Sequence, residues 1–486
     1  MLNPLVPGIV ANYLLLDVVT SNKQKNNMLK PLKSWMLASL SILVFFTACK
    51  KEKDVESSLV PTPTPTTPTT TAEDKLKDTA LLYAKDIFLW YNQIPASMNA
   101  RSYSDPAKIM TAIRQYSSEP GFSQPVDRWS FAVLQEEWDK VSSGVSGDFG
   151  ISVFFQSAND LRVKSVEENS PAGKAGIKRG WQITKINNNS NISTSNTDMV
   201  VKAVFESTST NFTFQKPDNS AVDILLTASA YQEHPVYFDS IYNTAKGKLG
   251  YMVFNSFLGD TTQIYNDFKR VFNSFAAAGV TQLAIDLRYN GGGYVNVQEK
   301  LANYIINASA NGGVMMKQQF NDKYTQYNEV SNFLKQGTLN VDRVFFIVSK
   351  STASASELLI NNLKPYMNVL LVGPNKTYGK PVGFFPIPVG TWYIFPVSFR
   401  STNKNGEGNY FDGLALNHTV ADGLDKDWGD VNESSFASVI KYLNSGTFRA
   451  ISTIDQPYVE KPEVKAGNII LDKPAFKGTV DTKRVF

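Results

Sequence analysis

Val344-Phe345-Phe346-Ile347-Val348, then Ser354-Ala355-Ser356-Glu357, then Leu358-Leu359-Ile360-Asn361-Asn362-Leu363 read as a buried strand, a small-residue turn and a helix. The first run is apolar throughout, as in strands covered on both faces. After the turn the apolar positions recur at helical spacing. Such a turn sets the Ser354 hydroxyl at a helix N-terminus, where backbone N–H groups and the helix dipole favour developing negative charge. An acyl-transfer nucleophile needs that setting. A helix N-cap with a first-turn acid accounts for the same four residues, so the turn alone leaves both readings open. A serine nucleophile also needs a base. The chain has two histidines, His234 and His418, and neither sits in a motif. A lysine kept neutral by an apolar pocket can replace histidine, and Lys380 follows in Thr377-Tyr378-Gly379-Lys380.

The 486 residues, 42% apolar, are enough for two or three domains with sizeable cores. A net charge of +4 without basic clustering over the folded part argues against nucleic-acid binding. One cysteine excludes an internal disulfide, and with two histidines any metal site would have to be all oxygen; no carboxylate loop of that kind is present. That cysteine, Cys49, follows Lys30, Lys33, an apolar run Trp35–Phe46 and Thr47-Ala48. The arrangement is similar to a bacterial lipoprotein signal, with a run too short to span a bilayer comfortably. It implies a start at Met28, an upstream extension over 1–27, cleavage before Cys49 and lipid attachment to it. The expected location is the cell envelope outside the cytoplasm, on the periplasmic side or at the outer membrane. A chance apolar patch with a buried cysteine is the competing reading.

Residues 50–73 are charged and then Pro/Thr-rich, an extended tether. Residues 74–137 read as a small helical domain containing Asp127-Arg128-Trp129-Ser130, and 138–228 as a β-rich unit. The latter holds Gly147-Asp148-Phe149-Gly150-Ile151 and Ser170-Pro171-Ala172-Gly173-Lys174-Ala175-Gly176-Ile177, where Ser170 can cap a short helix with Pro171 at its first position. From 229 to 446 strand and helix patterns alternate, which argues an α/β layered domain. Asp286-Leu287-Arg288-Tyr289-Asn290-Gly291-Gly292-Gly293 follows one of its buried strands, and glycines there let backbone approach a ligand. The segment 447–486 is polar and aperiodic and receives no function.

Together, Ser354–Glu357, Thr377–Lys380 and Asp286–Gly293 resemble the C-terminal processing serine peptidases, also called tail-specific proteases, over about residues 75–445. The resemblance implies an α/β core of crotonase/Clp-protease type with an inserted PDZ domain and a small N-terminal helical domain. It implies Ser354 as nucleophile, Lys380 as base and Thr377 as a supporting hydroxyl. Oxyanion donors would come from Gly291 or Gly292 and from Ala355. Gly147, Phe149, Gly150 and Ile151 would form the PDZ loop that receives a peptide carboxylate. The partners implied are protein or peptide substrates with free C-terminal tails and, through Cys49, a membrane; no cofactor, metal or nucleic acid is implied, and no oligomeric state follows. Two departures stand out. One extra residue separates Ser354 from Lys380, and Phe384 stands where the family has a glutamine that orients the lysine. Loss of that partner leaves Thr377 as the nearest candidate to orient the amine, while an apolar neighbour favours its neutral form. A PDZ-type binding protein with an inactive peptidase site, and a hydrolase of non-peptide esters or amides, are the rival readings.

Overall fold

Four of the apolar runs lie side by side and parallel: Gly247–Phe254, Val280–Asp286, Arg343–Ile347 and Asn368–Gly373. They are the centre of a six-stranded sheet closed by Val236–Thr244, antiparallel on one edge, and by His418–Thr419 on the other. The computed structural model describes residues 70–448 and 476–482. The leader, Cys49 and most of the 50–73 tether lie outside the described residues. No described helix is long and apolar enough to cross a membrane.

Strand alternation decides which side chain meets which layer. Val344 and Phe346 face one side, with the helices Thr261–Ala277, Val295–Ile305 and Ala355–Leu363. Phe345 and Ile347 face the other, against Phe436, Val439 and Leu443 of the helix Ser434–Ser445. In Thr261–Ala277 the buried stripe is Ile264, Phe268, Val271, Phe272 and Phe275. Each such side chain contributes roughly 1.5–3 kcal/mol on burial, so this layer, rather than helix propensity, fixes the sheet's first crossover. The α/β core expected from the alternation is the one found.

The N-terminal helices Ala72–Ile87 and Pro106–Ile113 do not close a core of their own. They share one with Val382, Phe384, Phe385, Ile394, Phe395 and Val397. Their continuation, the strand Phe131–Leu134, pairs antiparallel with Trp392–Phe395. Residues 145–232 behave differently. Five antiparallel strands, Ile151–Ser157, Asp160–Val166, Gln182–Ile186, Ser209–Gln215 and Ala221–Thr227, pack around a separate core containing Phe149, Leu161, Val163, Ile183, Phe212 and Phe214. Ile151–Ser157 is an edge strand of that sheet.

The segment given no function from sequence has one strand among its described residues. Gly478–Val480 pairs in parallel with Gly292–Tyr294 of the glycine loop, which brings it to the site described next.

Candidate active site

The strand Arg343–Ile347 runs into a turn fixed by Thr352, whose hydroxyl accepts from Ser349 N (2.9 Å) and donates to Leu287 O (2.8 Å). The turn ends at Ser354, fully buried, with φ 60° and ψ −108°. For a side chain other than glycine this conformation costs about 1–3 kcal/mol, and it persists only because the surroundings hold it. Much of that hold comes from Glu357. Its Oε2 accepts from Ser354 N (2.8 Å) and Lys380 N (2.8 Å), and its Oε1 from Gly379 N (2.6 Å) and the Thr377 hydroxyl (2.5 Å). One carboxylate therefore joins the serine turn to the lysine loop. Burial raises the Glu357 pKa, and these four donors oppose the rise.

Lys380 is buried in the same place. Burial pushes its amine well below the usual lysine range; the charges of Asp127 and Glu357 oppose this, and that of Arg114 adds to it. The Nζ atom lies 3.6 Å from the Phe384 ring centre and 5.7 Å from that of Trp129. Phe384 thus supplies an aromatic face where the resembled family has an amide. Thr377 does not orient the amine. Its hydroxyl is committed to Glu357 and accepts from Leu414 N (2.7 Å).

The glycine loop reaches the serine turn through Asn290, whose carbonyl accepts from Ala353 N (3.0 Å) and the Ser356 hydroxyl (3.1 Å). Asn290 Oδ1 accepts from Gly292 N (2.9 Å), so that N–H is not aimed at a ligand. Of the oxyanion donors expected from sequence, Gly291 and Ala355 keep that possibility. Ala355 is the first residue of its helix, where an N–H lacks an intrahelical acceptor. Gly292 has φ 103°, and a Cβ there would sit 2.9 Å from Ala355 N, so no side chain fits between loop and helix. Below the loop, Arg288 is buried on Asp286 (2.6 Å), Asp422 (2.7 Å) and Glu433 (2.8 Å). These ion pairs hold the loop and touch no open site.

Within the five-stranded unit, Gly147, Phe149, Gly150 and Ile151 lead into the edge strand. The Gly150 N–H donates to Asp148 Oδ1 (2.8 Å), which also accepts from the Tyr231 hydroxyl (2.7 Å). Phe149 packs in the unit's core, and its carbonyl accepts from Ala172 N (3.0 Å). A carboxylate taking the Gly150 N–H would have to displace Asp148.

Sequence reading missed three contributors. Glu357 was visible only as a first-turn acid. Asp127 was visible as the head of a motif without a role; it caps the turn that places Trp129 against Lys380 by accepting from Trp129 N (2.8 Å) and Ser130 N (3.0 Å). The third, residues 476–481, carried no signal. Ser354 Oγ lies 2.5 Å from Thr479 Oγ1, and Lys380 Nζ donates to Lys477 O (3.2 Å).

Residues 248–420, which hold the glycine loop, Ser354, Glu357 and Lys380, match the sequence profile of Peptidase family S41. This stretch is similar to peptidase family S41. The family implied by the three motifs is the one matched. A Staphylococcus aureus protein described as a CtpA-like serine protease is 29% identical over 315 residues, covering 61% of this chain and 60% of the relative. A Staphylococcus epidermidis protein of the same description is 28% identical over 259 residues, 53% of this chain and 50% of the relative. The chain thus spans 60% or less of the length of these curated relatives. Among solved structures, a Bacteroides fragilis protein described as an S41 protease superimposes with a TM-score of 0.62 at 21% identity, over 76% of this chain and 97% of the other. That likeness shows the shared fold.

Proposed function

We propose that the chain is a serine endopeptidase with a Ser354–Lys380 dyad. The observation that carries the reading is the joint hold of Glu357 on a strained, buried serine and on the backbone of a desolvated lysine. The neutral Lys380 amine takes the proton from Ser354 Oγ as that oxygen attacks a peptide carbonyl. Negative charge on the carbonyl oxygen is met by the Ala355 N–H and an N–H of the glycine loop. The Lys380 ammonium then gives its proton to the leaving amine, and water hydrolyses the acyl-enzyme by the same route in reverse.

The five-stranded unit, on this reading, is a PDZ-type module that receives unstructured C-terminal tails along the edge strand Ile151–Ser157. Cys49 anchors the chain by lipid to the cell envelope; Cys49→Ser should abolish fatty-acid labelling, and equal labelling of both forms would remove the anchor. The second reading is a peptide-binding protein with an inactive peptidase site, favoured by the Lys380 amine resting on Lys477 O rather than on Ser354. Labelling by a fluorophosphonate probe separates the two. An active serine reacts and loses the label in Ser354→Ala, whereas an unlabelled wild-type chain would support the binding protein.

A further inference from the structure

The segment 476–482 lies in the dyad's cleft as an extended strand with both of its edges used. On one side Gly478 N donates to Gly291 O (3.0 Å) within the parallel pairing to Gly292–Tyr294. On the other, Phe384 N donates to Thr479 O (3.0 Å) and Asp481 N to Phe384 O (3.0 Å). A peptide substrate binding between the glycine loop and Phe384 would use the same backbone groups. The loop is shaped around this chain, because a Cβ on Gly291 would lie 2.0 Å from Phe476 O and one on Gly292 would lie 2.5 Å from Gly478 O. Phe476 enters an aromatic pocket, with ring centres 5.2 Å from Trp138 and 6.1 Å from Phe131 and Phe384. Thr479, Val480 and Asp481 are buried.

The segment's hold on the dyad is what distinguishes an occupant from a substrate. A substrate must offer the serine a carbonyl carbon and leave the amine free to take a proton. Here the Ser354 hydroxyl faces a side-chain hydroxyl, that of Thr479, and the Lys380 amine points an N–H at the Lys477 carbonyl. Both reacting groups are satisfied while the Thr479 carbonyl is held on Phe384. Taking the dyad as the peptidase site described above, we propose that residues 476–482 are an intramolecular inhibitor, a pseudosubstrate that fills the peptide cleft. Peptides that replace it carry an aromatic side chain where Phe476 sits and a glycine where Gly478 sits. A Cβ on Gly478 would lie 2.1 Å from the Phe476 ring and 2.7 Å from that of Phe384.

The test needs no catalysis for its main readout. A fluorescent peptide of the sequence of residues 474–483 is titrated into the full chain carrying Ser354→Ala, with its own segment intact or disrupted by Phe476→Ala and Thr479→Arg. The expected result is binding at least tenfold tighter to the disrupted chain, lost again when Gly291→Val is added to block the cleft. Equal affinity for intact and disrupted chains would overturn the proposal, as would no binding to the disrupted chain. In the Ser354 chain, Phe476→Ala with Thr479→Arg should raise turnover of an unfolded protein at least fivefold. Loss of residues after Ser354-dependent cleavage within 476–482 would make the segment a substrate and overturn its role as inhibitor. Absence of turnover in every form, with the peptide-binding pattern intact, would instead refute the peptidase reading and leave the cleft occupant standing.

Discussion

Replacing Lys380 by methionine is expected to stabilise the fold at neutral pH while abolishing turnover. In the unfolded chain this amine titrates at its ordinary value of 10.5, whereas burial in the folded chain moves it well below. Between the folded value and 10.5 the unfolded chain binds a proton that the folded chain does not, so stability is lost as pH falls through that window. The loss is about 1.4 kcal/mol per pH unit across that window. Methionine fills a similar volume and carries no such cost. It forfeits the bond to Lys477 O, leaving that carbonyl short of a donor at about 1–3 kcal/mol. The methionine chain should therefore be the more stable at pH 7, with an advantage that shrinks by about 1.4 kcal/mol for each pH unit of that window crossed on going to pH 9.5. Denaturant unfolding of the two chains at both pH values, with unchanged m, measures it. A methionine variant that is less stable at pH 7, or whose advantage is the same at both pH values, would refute a desolvated lysine.

Ser354→Gly relieves the strain of φ 60°, about 1–3 kcal/mol, but strands the buried Thr479 hydroxyl at a similar cost. The inactive variant should therefore stay within about 1 kcal/mol of wild type in thermal or denaturant unfolding, whereas Ser354→Ala, which keeps the strain and loses the bond, should be less stable than Ser354→Gly. Glu357→Ala strands four buried donors; a loss above about 3 kcal/mol is expected, read as a lowered unfolding midpoint together with lost fluorophosphonate labelling. Peptides ending in a free apolar C-terminus should bind the five-stranded unit at least tenfold more tightly than their amides, a charge-assisted contact being worth about 1.5–3 kcal/mol. Equal affinity in calorimetry would point to Asp148 holding the Gly150 N–H permanently.

The layered core was legible because strands buried on both faces become near-continuous apolar runs, as in Val344–Val348, while the helices between them keep one apolar stripe. The serine, lysine and glycine-loop segments were legible because each is a short local motif. What escaped were roles made by distant chain. Asp127 and Trp129 reach the lysine only after the strand Phe131–Leu134 pairs with Trp392–Phe395. The same pairing merges the N-terminal helices into a shared core that no local pattern announces. Glu357 looks like an ordinary first-turn acid, since its four donors come from residues 354 and 377–380 and only folding converges them. Gly478–Val480 is three residues long and unamphipathic, so its strand exists because the glycine loop offers one edge and Phe384 pairs with the other. Gly292 shows the reverse limit. The family resemblance offered it or Gly291 as an oxyanion donor, and the Asn290 side chain claims its N–H.

The most direct test of the dyad is turnover of an unfolded protein across pH by the wild-type, Ser354→Ala and Lys380→Arg chains. Arginine keeps the positive charge but does not deprotonate in a protein, so Lys380→Arg should be as inactive as Ser354→Ala. Wild-type turnover should rise with pH as the Lys380 amine loses its proton. A Lys380→Arg chain working near the wild-type rate, or a wild-type rate flat across pH, would contradict a neutral lysine base.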